Sequence, residues 1–233
     1  MYAEGVVARG KPVGGVSPTA RAANATNAIL THLLEQKRRM KEITPLAGWA
    51  AARWADTAQT AEWMLDHPTY AKGSDADLLD LVQMLHDQGS DWEQWFETFT
   101  GDAGGHNVNN AQALKTAAIY WRFSQNATLP LLSQRRMANL DARYGLPTGM
   151  FNGDELLPDP PTRSPSRGIE LCGVVEAMWS YSTMFSVHGD PRFADRCERI
   201  TYNALPATWA SPKGGDMWAH QYLQAINQVR FQV

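Results

Sequence analysis

From about Ala23 onward, apolar residues recur every three or four positions, the period of a helix with one buried face. Trp54, Ala58, Ala61 and Leu65 share one stripe, and Leu78, Val82 and Leu85 share the next. Ser74 is placed to cap that second helix and Gly89 to end it. Ser90-Asp91-Trp92-Glu93 reads as a capping box opening a short helix with Trp92, Trp95, Phe96 and Phe99 on one side. After the Gly-rich break at Asp102 to Gly105, His106 begins a long helix that turns Val108, Ala111, Leu114, Ala118 and Trp121 inward. A further helix covers about Leu131 to Tyr144, and Gly145 stops it. Residues 146–169 hold Pro147, Pro158, Pro160, Pro161 and Pro165, and so form a long irregular loop, a kind of segment that often carries function. A helix with Val174, Met178, Tyr181 and Phe185 on one face follows. Asp190-Pro191, an N-cap with proline at the first helical position, opens another that carries Phe193, Cys197, Ile200 and Ala204.

No segment shows the two-residue alternation of a strand. The expected fold class is all-α, built from antiparallel helical hairpins. The expected layout is a flexible N-terminal segment over residues 1–22 and a helical domain over 23–233.

Composition narrows the function without naming it. The 233 residues are 44% hydrophobic and 19% charged, with a net charge of −3, which suits a globular core. No basic patch points to nucleic acid or an anionic membrane; Lys37-Arg38-Arg39 reads as a solvated helix face. No apolar run approaches the roughly 18 residues that span a bilayer. Met1 to Gly15 lacks the apolar core of a signal peptide, so a cytoplasmic location is expected by default. Cys172 and Cys197 form no CxxC pair and no disulfide framework. The nine tryptophans serve mostly as filler between helices, with a few suited to lining a sugar cleft.

Three places carry candidate chemistry. At a helix start, His106 is either a neutral donor to a substrate hydroxyl or a simple capping residue. The loop run Gly149 to Glu155 offers Asp154 and Glu155, either solvated or, once partly buried, able to hold the proton that a glycosidic acid needs. Glu170 and Cys172 stand two apart, a spacing that turns both side chains one way only in extended backbone. A cation could therefore take both only if the helix starts after them. Otherwise they are a helix-start glutamate and a buried structural cysteine.

Five runs together resemble the β-L-arabinofuranosidase-like glycoside hydrolases of family 127: His106–Leu114 (HNVNNAQAL), Gly145–Leu156 (GLPTGMFNGDEL), Ile169–Met178 (IELCGVVEAM), Gly189–Pro206 (GDPRFADRCERITYNALP) and Asp216–Gln228 (DMWAHQYLQAINQ). The resemblance covers roughly residues 45 to 228. It implies an (α/α)6 toroid, here partial, and retaining hydrolysis of a non-reducing-end L-arabinofuranoside or related sugar. It implies a zinc ion held by one glutamate and three cysteines, one of them the nucleophile. Glu170 and Cys172 then match the first two zinc ligands, Glu155 the general acid/base with Asp154 as the alternative, and His106 a substrate contact. The other two ligands would be an adjacent cysteine pair following Trp218-Ala219-His220, and this sequence carries no such pair. Cys197, on the stripe with Phe193 and Ile200, is expected to face the core. The chain is therefore expected to be a truncated catalytic domain without the family's β-sandwich domains and with impaired activity, or else a non-catalytic carbohydrate-binding or scaffold protein on the same fold.

Overall fold

Pro18 opens the first helix, α1 (Pro18–Glu42), five residues before the expected boundary at residue 23. Proline is accepted in a first turn because its missing N–H has no partner there in any case. The structure, a computed structural model, describes residues 18–67, 75–100, 105–208 and 222–224. Ser74, Asp102 to Gly104 and Trp218 to His220 lie outside the described residues.

The chain forms two compact units, Met1–Gly89 and Ser90–Val233. In the first, α1 is followed by α2 (Gly48–Ala52), α3 (Trp54–Asp66) and α4 (Asp75–Gln88). The two expected stripes meet here: Ala58 and Ala61 of α3 and Leu78, Val82 and Leu85 of α4 are fully buried, with Leu81 and Met64 beside them. The small α3 residues let the α4 leucines approach closely. Each buried leucine contributes about 1.5–3 kcal/mol. Gly89 ends α4 as expected, and for a packing reason as well: a Cβ there would stand 2.3 Å from Cδ1 of Trp54. Lys37 of α1 reaches Asp77 and Asp80 of α4, each at 2.8 Å.

The second unit contains α5 (Trp92–Thr98), α6 (Asn107–Ala113), α7 (Thr116–Ser124), α8 (Leu129–Tyr144), β1 (Ile169–Glu170), α9 (Leu171–His188), α10 (Pro191–Asn203) and β2 (Leu223–Gln224). Asp91, not Ser90, caps α5 by accepting from the Gln94 N–H at 2.9 Å. Trp92, Trp95 and Phe96 are buried as expected. Phe99 instead terminates the helix at φ 55°.

The expected long helix from His106 is two helices. At the break, the Ala113 carbonyl is taken by Thr116 Oγ1 at 2.8 Å and by the buried Arg136 at 3.1 Å. Side chains thereby compete for an acceptor that a continuous helix would use. Every residue of α6 is buried, the polar ones included. Trp95 Nε1 donates to Asn110 Oδ1 at 2.6 Å, and Asn110 Nδ2 donates to the His106 carbonyl at 3.0 Å.

Helix α9 is the centre of this unit and packs on α6, α7 and α10. Its buried stripe is Gly173, Val174, Ala177, Ser180, Tyr181 and Met184. That stripe shares Val174 and Tyr181 with the expected one but leaves Phe185 43% exposed. The small residues decide this, since they let α6 come close enough for Ser180 Oγ to donate to the Ala111 carbonyl at 2.6 Å. Asp190 caps α10 by accepting from the Arg192 N–H, with Pro191 at the first helical position, as read from the sequence. Only Gly189 and Asp190 link α9 to α10, so the two run antiparallel.

Candidate functional site

The irregular loop between α8 and α9 is held by backbone bonds rather than by regular structure. The Gly153 N–H donates to the Gly168 carbonyl at 3.1 Å, and the Glu170 N–H donates to the Gly153 carbonyl at 3.2 Å. The Asn107 N–H donates to the Glu155 carbonyl at 2.9 Å, and His106 forms a β-bridge with Leu156. The start of α6, the Asp154–Glu155 turn and the strand before α9 are thus tied into one cluster. Asn107 sits at its centre. The side chain is fully buried, and its Nδ2 donates to the Gly153 carbonyl at 3.0 Å. A Cβ on Gly153 would lie 2.8 Å from Asn107 Cγ, and one on Gly173 would lie 2.9 Å from its Nδ2. Both glycines are required by space, not by backbone angle.

This framework brings three of the five candidate residues together. Ligand atoms of His106, Glu155 and Glu170 lie within 4.8 Å of one another. His106 Nε2 is 3.2 Å from Glu155 Oε2. The imidazole caps α6 as well, its Nδ1 accepting from the Val108 N–H at 3.3 Å. Because Nδ1 accepts, the neutral ring carries its hydrogen on Nε2, aimed at Glu155. The capping reading of His106 is thus met, with its other ring nitrogen turned to Glu155. Glu155 keeps 47% of its side chain exposed, whereas Glu170 is fully buried.

Asp154 faces the other way. Its Oδ1 accepts from the Glu155 N–H at 2.9 Å and from Arg167 Nη2 at 3.3 Å, so it shapes the turn that presents Glu155.

Glu170 is extended, at φ −80° and ψ 144°, and is the N-cap position of α9. The helix starts at Leu171, so Cys172 lies inside its first turn and not outside regular helix as a shared Glu170–Cys172 ligand pair would need. Helix formation from Leu171 is favoured because β1 is only two residues long and its partner β2 ends the pairing at Glu170↔Leu223. The thiol is exposed rather than buried.

Tyr222, which no local spacing singles out, completes the surroundings. Its carbonyl accepts from the Leu171 N–H at 2.8 Å. Its phenol is held well above the usual tyrosine range, first by desolvation, then by bonding to Glu155, the charge of Glu170 and the Cys172 thiol. Only β1–β2 pairing brings it here, across about 50 residues of sequence. Cys197 departs from expectation: it is only half-buried, donates to the Met178 carbonyl at 3.4 Å, and has its pKa raised by burial. It lines an open groove of about 440 Å³ with Ser182, Phe185 and Tyr202. Ser182 is twelve residues up α9 from Glu170, roughly 18 Å along the axis.

Of the zinc set implied by the resemblance, Glu170 lies in the converging group, and the Cys172 thiol meets the Tyr222 phenol beside it without joining the three residues whose ligand atoms lie within 4.8 Å of one another; Cys197 is remote. Among the described residues, the set able to hold a cation is one imidazole and two carboxylates. Glu170 is fully buried, so Glu155 is the accessible carboxylate of the two.

An all-α protein of paired helices, with an imidazole at one helix start, a carboxylate at another and a second carboxylate on the irregular loop between them in space, is what fold and site define. The fold is similar to the crystal structure of D-mannose isomerase, at TM-score 0.52 and 11% identity over 76% of this chain. The chain spans about half of that structure, 52% of its length. The family model "Beta-L-arabinofuranosidase, GH127 catalytic domain" matches residues 32–226, and the chain belongs to that family. No curated protein matches the chain. Among the described residues, no helix is long and apolar enough to cross a membrane.

Proposed function

We propose that this domain binds a non-reducing-end L-arabinofuranosyl unit, or a closely related sugar, and belongs to a retaining glycoside hydrolase. Glu155 is the general acid/base and His106 a substrate contact. The observation that carries this is Glu155 itself: half-exposed, 3.2 Å from His106 Nε2 and beside the buried Glu170. An acid for the departing oxygen must be a carboxyl group that a substrate can reach, and Glu155 is the accessible one here. Asp154, engaged with Arg167, serves as support. Glu170 and Cys172 are the residues that match the family's first zinc ligands, and zinc there would keep a thiol deprotonated. The family's nucleophile belongs to an adjacent cysteine pair, and the 233 residues contain no such pair. The expected hydrolytic rate of this chain is accordingly low.

The test is saturable binding of an aryl β-L-arabinofuranoside to the purified chain, measured by calorimetry, together with release of the aryl group. Binding should weaken in Glu155→Gln and His106→Ala, while turnover stays slow throughout. Absence of saturable binding would refute the reading, and so would turnover at the rates of efficient enzymes that Glu155→Gln leaves unchanged. A second reading, a non-catalytic carbohydrate-binding role, is favoured by the separation of the two cysteines. It predicts sugar binding that survives both Glu155→Gln and Cys172→Ala.

A further inference from the structure

We infer that Asn107 is a positioning residue of the site: by holding the loop at Gly153, its side-chain amide sets Glu155 against His106 in the geometry that substrate binding needs. The inference rests on the reading of Glu155 as the acid/base.

Asn107 is the first residue of α6, next in the chain to its cap, His106. From there it grips the irregular loop twice. Its backbone N–H donates to the Glu155 carbonyl at 2.9 Å, and its Nδ2 donates to the Gly153 carbonyl at 3.0 Å. One bond would fix a distance and leave a hinge. Two bonds, to residues two apart, fix the direction in which the Asp154–Glu155 turn points. The other bonds at Gly153 run elsewhere, from its N–H to the Gly168 carbonyl and to its carbonyl from the Glu170 N–H. They hold the loop to the start of α9, not to α6. Among the described residues, the Nδ2 bond is what ties Gly153 to the helix capped by His106, whose Nε2 stands 3.2 Å from Glu155 Oε2.

Stability alone does not call for an amide here. Asn107 is fully buried, and its Oδ1 has no hydrogen-bond partner among the described residues. A buried acceptor in that state costs free energy that leucine, with the same branching and a similar shape, avoids. What leucine cannot do is donate. A carbon keeps about 3.3–3.6 Å from a carbonyl oxygen, so Asn107→Leu would push the Gly153 carbonyl back from its 3.0 Å and carry the Glu155 turn with it. The side chain has no room to turn aside, since a Cβ on Gly153 would stand 2.8 Å from its Cγ and one on Gly173 2.9 Å from its Nδ2. Groups that act on a substrate tolerate only about 0.5 Å of misplacement.

The test is a mutant cycle on the full chain. The parent, Asn107→Leu, Glu155→Ala and the double variant are titrated with an aryl β-L-arabinofuranoside by calorimetry, and Asn107→Ala stands in if the leucine variant does not fold. Asn107→Leu is expected to keep its urea midpoint within about 0.5 M of the parent and to bind the glycoside about three- to tenfold more weakly. In the Glu155→Ala background the same change should alter affinity by less than about twofold, because the turn then carries no group to misplace. A purely structural role would weaken binding equally in both backgrounds. Nitrogen NMR of the His106 ring gives a readout that needs no glycoside. The Nε2–H signal, set in the parent by Glu155, should move in Asn107→Leu towards its position in Glu155→Ala. An affinity loss of equal size with and without Glu155 overturns the inference, and so does a His106 signal that neither Asn107→Leu nor Asn107→Ala changes. If the parent binds no glycoside, the glycosidase reading fails by itself, and the His106 signal alone decides whether Asn107 sets the contact.

Discussion

Replacing Gly153 by alanine would set a methyl group 2.8 Å from both Cγ and Oδ1 of Asn107. Relaxed contacts between such atoms lie near 3.5–4.0 Å, so something must move by most of an ångström. Asn107 has little room to do so. It is fully buried, its Nδ2 is bonded to the Gly153 carbonyl, and Gly173 closes its other side. Overpacking of this kind costs about 1–3 kcal/mol, and loss of the amide hydrogen bond adds about 1 kcal/mol. The expected destabilisation of Gly153→Ala is therefore about 2–4 kcal/mol.

Asn107→Ala alone should cost less. The Gly153 carbonyl still accepts from the Glu170 N–H at 3.2 Å, and removing Oδ1 eliminates a buried acceptor that has no partner among the described residues. In the double variant the new methyl occupies space the amide has vacated, so the two effects should be strongly non-additive, with a coupling of about 1–3 kcal/mol. Urea unfolding of the four proteins, analysed with a common slope, measures this. A Gly153→Ala protein within about 0.5 kcal/mol of the parent, or two effects that add within that margin, would refute the packing argument.

Two further outcomes follow from other contacts. Asp91→Ala should lower stability by about 1 kcal/mol through loss of the cap on Gln94 N–H, while Ser90→Ala should be close to neutral; thermal melts of both separate the real cap from the one that spacing suggests. His188 is half-buried, with Nε2 3.1 Å from Ser133 Oγ, and desolvation holds its folded pKa below the ordinary 6.5 despite the opposing charge of Asp190. The unfolded chain therefore takes up the proton first as pH falls. Stability from this residue is complete above about pH 6.5 and is lost as pH drops towards the folded value. His188→Gln should flatten that part of the stability profile in melts between pH 7 and pH 5, and an unchanged slope would argue against the buried neutral imidazole.

Much of the helical architecture was legible in the chain itself. The α3 and α4 stripes, the aromatic face of α5, the end of α8 at Gly145 and the Asp190-Pro191 start of α10 all depend on local periodicity and capping. The misreadings have a common cause. The break after Ala113 comes from Arg136, some twenty residues away, drawing on a helical carbonyl. The rotation of the buried face of α9 comes from Gly173, Ala177 and Ser180, whose small size matters only because α6 packs against them. Polar residues of α6 are buried because that helix is enclosed on every side, which no single-helix pattern can reveal.

For the site, residue chemistry nominated His106, Asp154, Glu155, Glu170 and Cys172 in advance, and composition excluded a nucleic-acid partner as an expectation. Which of them meet was a matter of long-range contacts. Backbone bonds through Gly153 turn Glu155 toward His106 and leave Asp154 to Arg167. The β1–β2 pairing carries Tyr222 to the carboxylates, and the start of α9 at Leu171 places Cys172 in a helical first turn. Local sequence determines which conformations a segment prefers, because those preferences arise within a few residues. Convergence of charged groups depends on loop closure and packing across the chain, and only the folded structure could decide it.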